Sequence, residues 1–201
     1  FAGSAAPDDG GIVLELGCGK GEYTIELAQR NPARNYVGVD IKGARLWKGA
    51  KYATQNALPN VAFLRTRVEF ISAFFAPGEV SEIWLTFSDP QFRSENSRLS
   101  SPVFLERYRS FLRSGGVVHL KTDSRFLHEY TKAVSKVNGL ELLACTDDLY
   151  GSPDGAGASG AELPAGAAPS FAGDGTASCV PADLKSAATA VQTFYEGIFL
   201  E

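Results

Sequence analysis

The chain has 201 residues, a net charge of −4, 44% hydrophobic residues and three cysteines. That length suits one domain with a sizeable core, and the acidic balance restricts any nucleic-acid contact to a local basic face. Cys18, Cys145 and Cys179 make neither a disulfide framework nor a metal-ligand spacing, no signal peptide is visible, and no apolar run reaches transmembrane length. The expectation is a cytoplasmic protein with no metal and no membrane association. Methionine is absent even from position 1, so the chain is read as part of a longer protein.

Taken in order, residues 12–16 form a short apolar run carrying Glu15, which breaks into Gly17, Gly19 and Gly21 and then a helical pattern over 21–30. A second apolar run, 36–40, ends in Asp40 and leads into a helical pattern over 43–56. Strand patterns at 61–65, 81–87, 116–121 and 140–145 alternate with helical patterns at 68–75, 102–113 and 124–137. Gly115-Gly116 is placed at the end of the 102–113 helix, where glycine commonly closes a helix. Strands separated by helix-length segments predict right-handed crossovers and a doubly wound, mainly parallel α/β sheet. Ligands of such sheets sit beyond the carboxyl ends of the strands. Residues 151–182, almost entirely Gly, Ala, Ser, Pro and Asp, are read as a flexible low-complexity insertion in a single domain of residues 1–201.

The glycine turn carries the most chemistry. Glycine reaches left-handed backbone angles without penalty and lets a ligand approach the chain. A dinucleotide fingerprint is G-x-G-x-x-G; here the third glycine comes one residue early, giving E-x-G-x-G-x-G over Glu15–Gly21. This spacing resembles motif I of the S-adenosylmethionine methyltransferases. The plain alternative is a glycine-rich turn with no ligand. Asp40, about 20 residues after the turn, is placed at the end of the neighbouring strand, where it can accept hydrogen bonds from both hydroxyls of a ribose. It also suits the N-cap of the helix starting near Lys42, a role compatible with the first.

Residues 83–93 read Ile-Trp-Leu-Thr-Phe-Ser-Asp-Pro-Gln-Phe-Arg, a buried strand ending in Ser-Asp-Pro and followed by Arg93, Asn96, Ser97 and Arg98. This segment resembles the tRNA (guanine-N7)-methyltransferase family, whose motif there is Phe-Pro-Asp-Pro-Trp followed by a Lys/Arg-rich stretch. Val-Leu-Glu-Leu-Gly-Cys-Gly-Lys-Gly (13–21), Val-Gly-Val-Asp (37–40), Gly-Gly-Val-Val-His-Leu-Lys-Thr-Asp (115–123) and Thr-Phe-Tyr-Glu (193–196) occur in the family's order. The resemblance covers roughly residues 12–150 and 184–201. It implies a Rossmann-like class I methyltransferase, with the family's final antiparallel strand expected beyond Glu201. It also implies S-adenosyl-L-methionine as cofactor and tRNA as partner, with methyl transfer to guanine N7; the oligomeric state stays open, with a monomer favoured.

On this resemblance Glu15, Gly17, Gly19, Gly21, Asp40, Arg67 and Asp89 contact the cofactor, and Asp89 is also the catalytic candidate. Arg93, Asp123, Thr193, Phe194, Tyr195 and Glu196 contact the tRNA, with residues 95–100 lying along it. The sequence departs from the family at Ser88, where proline is usual, at Gln91, where tryptophan is usual, and at Arg67, where Asp or Asn is usual. From the residues themselves, Asp89 also suits an Asx turn before Pro90, and Asp123 a cap on the helix starting at Ser124. Across 91–136, nine basic side chains face four acidic ones, a local balance of +5 on an acidic chain. Such asymmetry suggests a phosphate-facing surface; solvated helix faces are the alternative. His119 is read as a core histidine and His128 as surface. Two other functions share the fold: a non-catalytic RNA-binding subunit, and a methyltransferase acting on a small molecule or protein.

Overall fold

The computed structural model describes residues 10–147. The described residues 142–147 fall in a second unit, and the fold below is that of residues 10–141. Five strands, β1 (Ile12–Leu16), β2 (Tyr36–Asp40), β3 (Val61–Arg65), β4 (Val80–Thr86) and β5 (Leu112–Lys121), form a sheet ordered β3-β2-β1-β4-β5. Every neighbouring pair is parallel. Parallel neighbours require crossovers, supplied by α1 (Glu22–Arg30), α2 (Gly43–Gln55), a 3-10 helix at Val68–Ala73, and α3 (Pro102–Arg109). Helix α4 (Arg125–Val137) follows β5. The chain winds outward from β1 in both directions, so the switch point that attracts ligands lies between β1 and β4.

The pleat sorts the strand residues into two layers. Leu14, Leu16, Val37, Val39, Ile83 and Leu85 join Ile71, Phe104, Tyr108 and Phe111 in one core. Leu14, Leu16, Ile83 and Leu85 are fully buried, each worth about 1.5–3 kcal/mol of transfer free energy. The opposite face carries Glu15, Trp84 and Thr86 beneath α1, whose Tyr23 ring lies 6.2 Å from Trp84. Helices α3 and α4 begin on serine caps: Ser101 accepts from Phe104 N at 3.4 Å and Ser124 from Leu127 N at 3.2 Å. Among the described residues, no helix is long and apolar enough to cross a membrane.

Strands 12–16, 36–40 and 61–65 stand where the sequence pattern puts them, and three expectations need correction. Helix α3 ends at Arg109 rather than 113, and Gly115-Gly116 does not close it. Phe111 must turn into the core, where it is fully buried and its carbonyl accepts from Val80 N at 3.2 Å. Strand β5 therefore starts early and slips register: Val80 faces Leu112, but Glu82 faces Val117, and Gly115 takes a φ of 72° within the slip. The 68–75 segment is a six-residue 3-10 helix rather than an α-helix. Residues 140–145 form no strand; an apolar run of that length becomes one only with a ladder partner. The 151–182 insertion, Thr193, Phe194, Tyr195, Glu196 and the strand expected past Glu201 lie outside the described residues.

Candidate active site

The turn after β1 is held by backbone and by one carboxylate. Gly17 N and Cys18 N both donate to Val39 O, at 2.8 and 3.0 Å, locking the turn onto β2. Gly19 N donates to Asp40 Oδ2 at 2.9 Å, and Lys42 N donates to Asp40 Oδ1 at 2.7 Å. The N-cap of α2 is Lys42, so Asp40 braces two loops rather than capping a helix. The three glycines differ in kind. Gly17 and Gly19 have φ of 78° and 59°, and a Cβ on either would meet open space. A Cβ on Gly21 would strike the Phe63 ring at 2.4 Å, so this glycine lets helix and sheet close together.

Glu15, the acidic residue that opens the motif, is engaged by side chains of two other elements. Its carboxylate is buried, accepting from Thr24 N at 2.9 Å, Thr24 Oγ1 at 2.5 Å and Thr86 Oγ1 at 2.7 Å. It thereby ties β1 to the first turn of α1 and to the end of β4. Burial pushes its carboxyl up to about 7, against the lowering effect of the threonine hydrogen bonds. Burial likewise pushes the Cys18 thiol up, which keeps it unreactive.

The segment after β4 is bent at both ends. Phe87 and Gln91 adopt φ of 48° and 47°, a left-handed conformation that non-glycine residues rarely hold. Between them Asp89 is exposed, and its Oδ1 accepts from Gln91 N at 3.0 Å, the Asx turn that its neighbour Pro90 favours. Arg98 Nε donates to Pro90 O at 3.1 Å from a buried position against the rings of Phe126 and Tyr130. Reading Arg98 as a surface cation missed this role, and its signal lay 28 and 32 residues further on. Lys121, counted in the same basic stretch, is also buried, its ammonium 5.3 and 5.4 Å from the rings of Tyr23 and Phe87.

The remaining site candidates spread along the same edge. Arg67 follows β3, is exposed, and pairs with Glu69 at 3.3 Å. Arg93 is exposed beyond the Asp89 turn, and Asp123 is exposed just ahead of α4, whose cap is Ser124 instead. His119 stacks on Trp84 with centroids 4.2 Å apart, inside the sheet layer. Its Nε2 lies 3.3 Å from Glu82 Oε2, outside hydrogen-bond angles, while Arg34 Nη1 donates to Glu82 Oε1 at 2.5 Å. Burial would raise the Glu82 carboxyl, but the neighbouring His119 ring and the Arg34 guanidinium hold it down at about 2.

A family model described as "Putative methyltransferase" matches residues 9–152. Over 145 residues the chain is 57% identical to a tRNA (guanine-N(7)-)-methyltransferase of Bacteroides fragilis (strain YCH46), covering 72% of this chain and 58% of that protein. It is 36% identical over 154 residues to the enzyme of the same name from Levilactobacillus brevis, covering 76% of this chain and 72% of that one. The chain belongs to the tRNA (guanine-N7)-methyltransferase family. It spans about three-fifths of the length of the Bacteroides relatives. The crystal structure of a SAM dependent methyltransferase from Aquifex aeolicus superposes with a TM-score of 0.51 at 15% identity, covering 64% of this chain and 71% of that one. That likeness establishes the class I methyltransferase fold that the family resemblance implied. Within this tRNA (guanine-N7)-methyltransferase family member, Glu15, Gly17, Gly19, Gly21, Asp40, Arg67 and Asp89 all stand at or beyond the carboxyl ends of β1 to β4.

Proposed function

We propose that the protein transfers a methyl group from S-adenosylmethionine to N7 of a guanine in tRNA. The observation that carries the cofactor half is the pair of open left-handed glycines braced by Asp40. Each Asp40 oxygen accepts one backbone N–H, and a carboxylate oxygen has two lone pairs. The second pair on each oxygen suits the two hydroxyls of a ribose. Gly17 and Gly19 leave room for a ligand against the bare backbone, so the residues present fit the cofactor. Bound there, S-adenosylmethionine supplies an electrophilic methyl on a sulfonium.

The residues around it divide the work. Asp40 holds the ribose; Glu15 keeps the glycine turn, α1 and the end of β4 in register through Thr24 and Thr86; Arg67 stands on the loop beside the adenine end. Guanine N7 is a lone-pair nucleophile and needs no general base, so the chain's task is alignment and exclusion of water. Asp89, fixed in its Asx turn, accepts hydrogen bonds from the guanine edge and orients the ring. Arg93, Asp123 and the segment Thr193, Phe194, Tyr195 and Glu196 take the tRNA. The substrate half is supported by the relatives' names. The reaction calls for no metal and no membrane, and tRNA as partner puts the protein in the cytoplasm. Radiolabelled methyl transfer to unmodified tRNA, followed by nucleoside analysis, tests the reading: 7-methylguanosine is expected. Cofactor binding with no methylated nucleoside would overturn it in favour of a non-catalytic RNA-binding subunit.

A further inference from the structure

The loop after β4 and the start of α4 meet in a run of aromatic rings that the methyl-transfer reading does not use. Phe92 is 68% exposed and Phe126 42% exposed, with their centroids 5.1 Å apart. Phe126 is followed one helical turn later by Tyr130, nearly parallel at 20° and 6.3 Å away. The buried Arg98 guanidinium sits behind both, 4.8 Å from the Phe126 ring and 4.3 Å from the Tyr130 ring. Tyr130 OH donates to Glu95 Oε1 at 2.9 Å, fixing the far end.

A single exposed phenylalanine is ordinary on a protein surface. Here two exposed rings adjoin, and the same arginine that positions one of them also holds the Pro90 carbonyl of the Asp89 turn. Arg93 and Arg125, each next in sequence to one ring, are both exposed. Rings with cations at their flanks suit a polyanion that carries flat bases. We propose that Phe92 and Phe126 form a stacking site for an unpaired nucleobase next to the target guanosine, with Arg93 and Arg125 toward the adjoining phosphates. The inference rests on the tRNA reading above and adds to it a second base contact. Base stacking tolerates any base, since every base has a π-face. The site therefore selects an unpaired, accessible nucleotide rather than a sequence.

The test is equilibrium binding of unmodified tRNA across a range of salt, with methyl transfer measured on the same preparations of parent, Phe92→Ala and Phe92→Trp. Phe92→Ala should weaken tRNA binding about tenfold, within the roughly 5- to 150-fold range of one lost base stack. Its melting temperature and the slope of log affinity against log salt should match the parent, because no phosphate contact is lost. Phe92→Trp should keep the parent affinity, and its added indole emission should be quenched by tRNA. Parent-like affinity for Phe92→Ala overturns the stacking site, as does a loss accompanied by a shallower salt slope. Normal tRNA affinity with lost self-association would make the rings a protein interface instead and likewise overturn it. A parent that binds tRNA through Phe92 but transfers no methyl group sinks the catalytic reading and leaves the stacking site standing. A parent that binds no tRNA overturns both.

Discussion

Glu15 offers the sharpest quantitative test, because burial and hydrogen bonding act on it in opposite senses. Its carboxyl is raised from 4.5 to about 7 by desolvation, despite three donors from Thr24 and Thr86. A raised acid binds a proton in the folded state where the unfolded chain has released it. Between pH 4.5 and 7 the folded protein thus holds more protons, and stability falls as pH rises through that window. A shift of about 2.5 pH units corresponds to about 3 kcal/mol lost between pH 4.5 and 8. Glu15→Gln keeps the shape and one acceptor oxygen, while its amide can donate to a threonine hydroxyl. The variant should match the parent near pH 4.5 and exceed it by about 1–3 kcal/mol at pH 8, the charge having been removed. Urea unfolding of both proteins at half-unit pH steps reads this difference directly. Glu82 does not interfere, because its carboxyl is held at about 2 and titrates below the window. Parallel stability curves for parent and Glu15→Gln from pH 4.5 to 8 would refute the reasoning, and with it the view that Glu15 braces the site from a dry interior.

Asp40→Ala should weaken S-adenosylmethionine by tenfold or more in calorimetry, since charge-assisted hydrogen bonds are worth roughly 1.5–3 kcal/mol each; parent-like affinity would remove Asp40 from the site. Asp89→Ala should lose methyl transfer while keeping most tRNA affinity, whereas Arg93→Ala should weaken tRNA binding and flatten its log–log salt slope by about one; equal effects of the two on both assays would contradict that division. Arg98→Lys keeps the charge but loses the planar group against two rings and the Nε donor to Pro90. It should lower stability by about 1–2 kcal/mol, and an unchanged melting temperature would show that the Asp89 turn stands without its latch. Glu82, lowered by its partners His119 and Arg34, contributes stability that is present above pH 4.5 and lost as pH falls toward 2, so Glu82→Gln should flatten the acid limb of the unfolding profile.

What the sequence made legible were roles set by residue type over a short span. Three alternating glycines after an apolar run can do little but turn the chain, and an aspartate closing the next strand lies beside that turn in any right-handed crossover. Ser-Asp-Pro is an Asx turn on its own residues. Hidden were the roles assigned by register. Nothing within a few residues of Glu15 shows that Thr24 and Thr86 converge on it. Gly115 reads as a helix stop because the pull of Phe111 into the core depends on what Val80 places opposite. A glycine in a left-handed turn closes a helix and permits a strand to slip register by the same backbone angle, so its type alone cannot choose.

The basic stretch shows the same limit from the electrostatic side, and it changes what the charge count means. Nine cations over residues 91–136 describe composition, but Arg98 and Lys121 are buried against aromatic rings. Arg109 and Lys132 pair with Glu106 and Glu129 at 3.1 and 3.2 Å. A buried guanidinium packed against two rings is attracted to their faces and is no longer available to a phosphate. The cations left exposed beside the Asp89 turn are Arg93 and Arg125, each adjoining an exposed phenylalanine. The exposed part of this face is therefore two cations and two rings, while Arg98, one of the nine cations of the basic stretch, packs against Phe126 and Tyr130 and holds the Pro90 carbonyl.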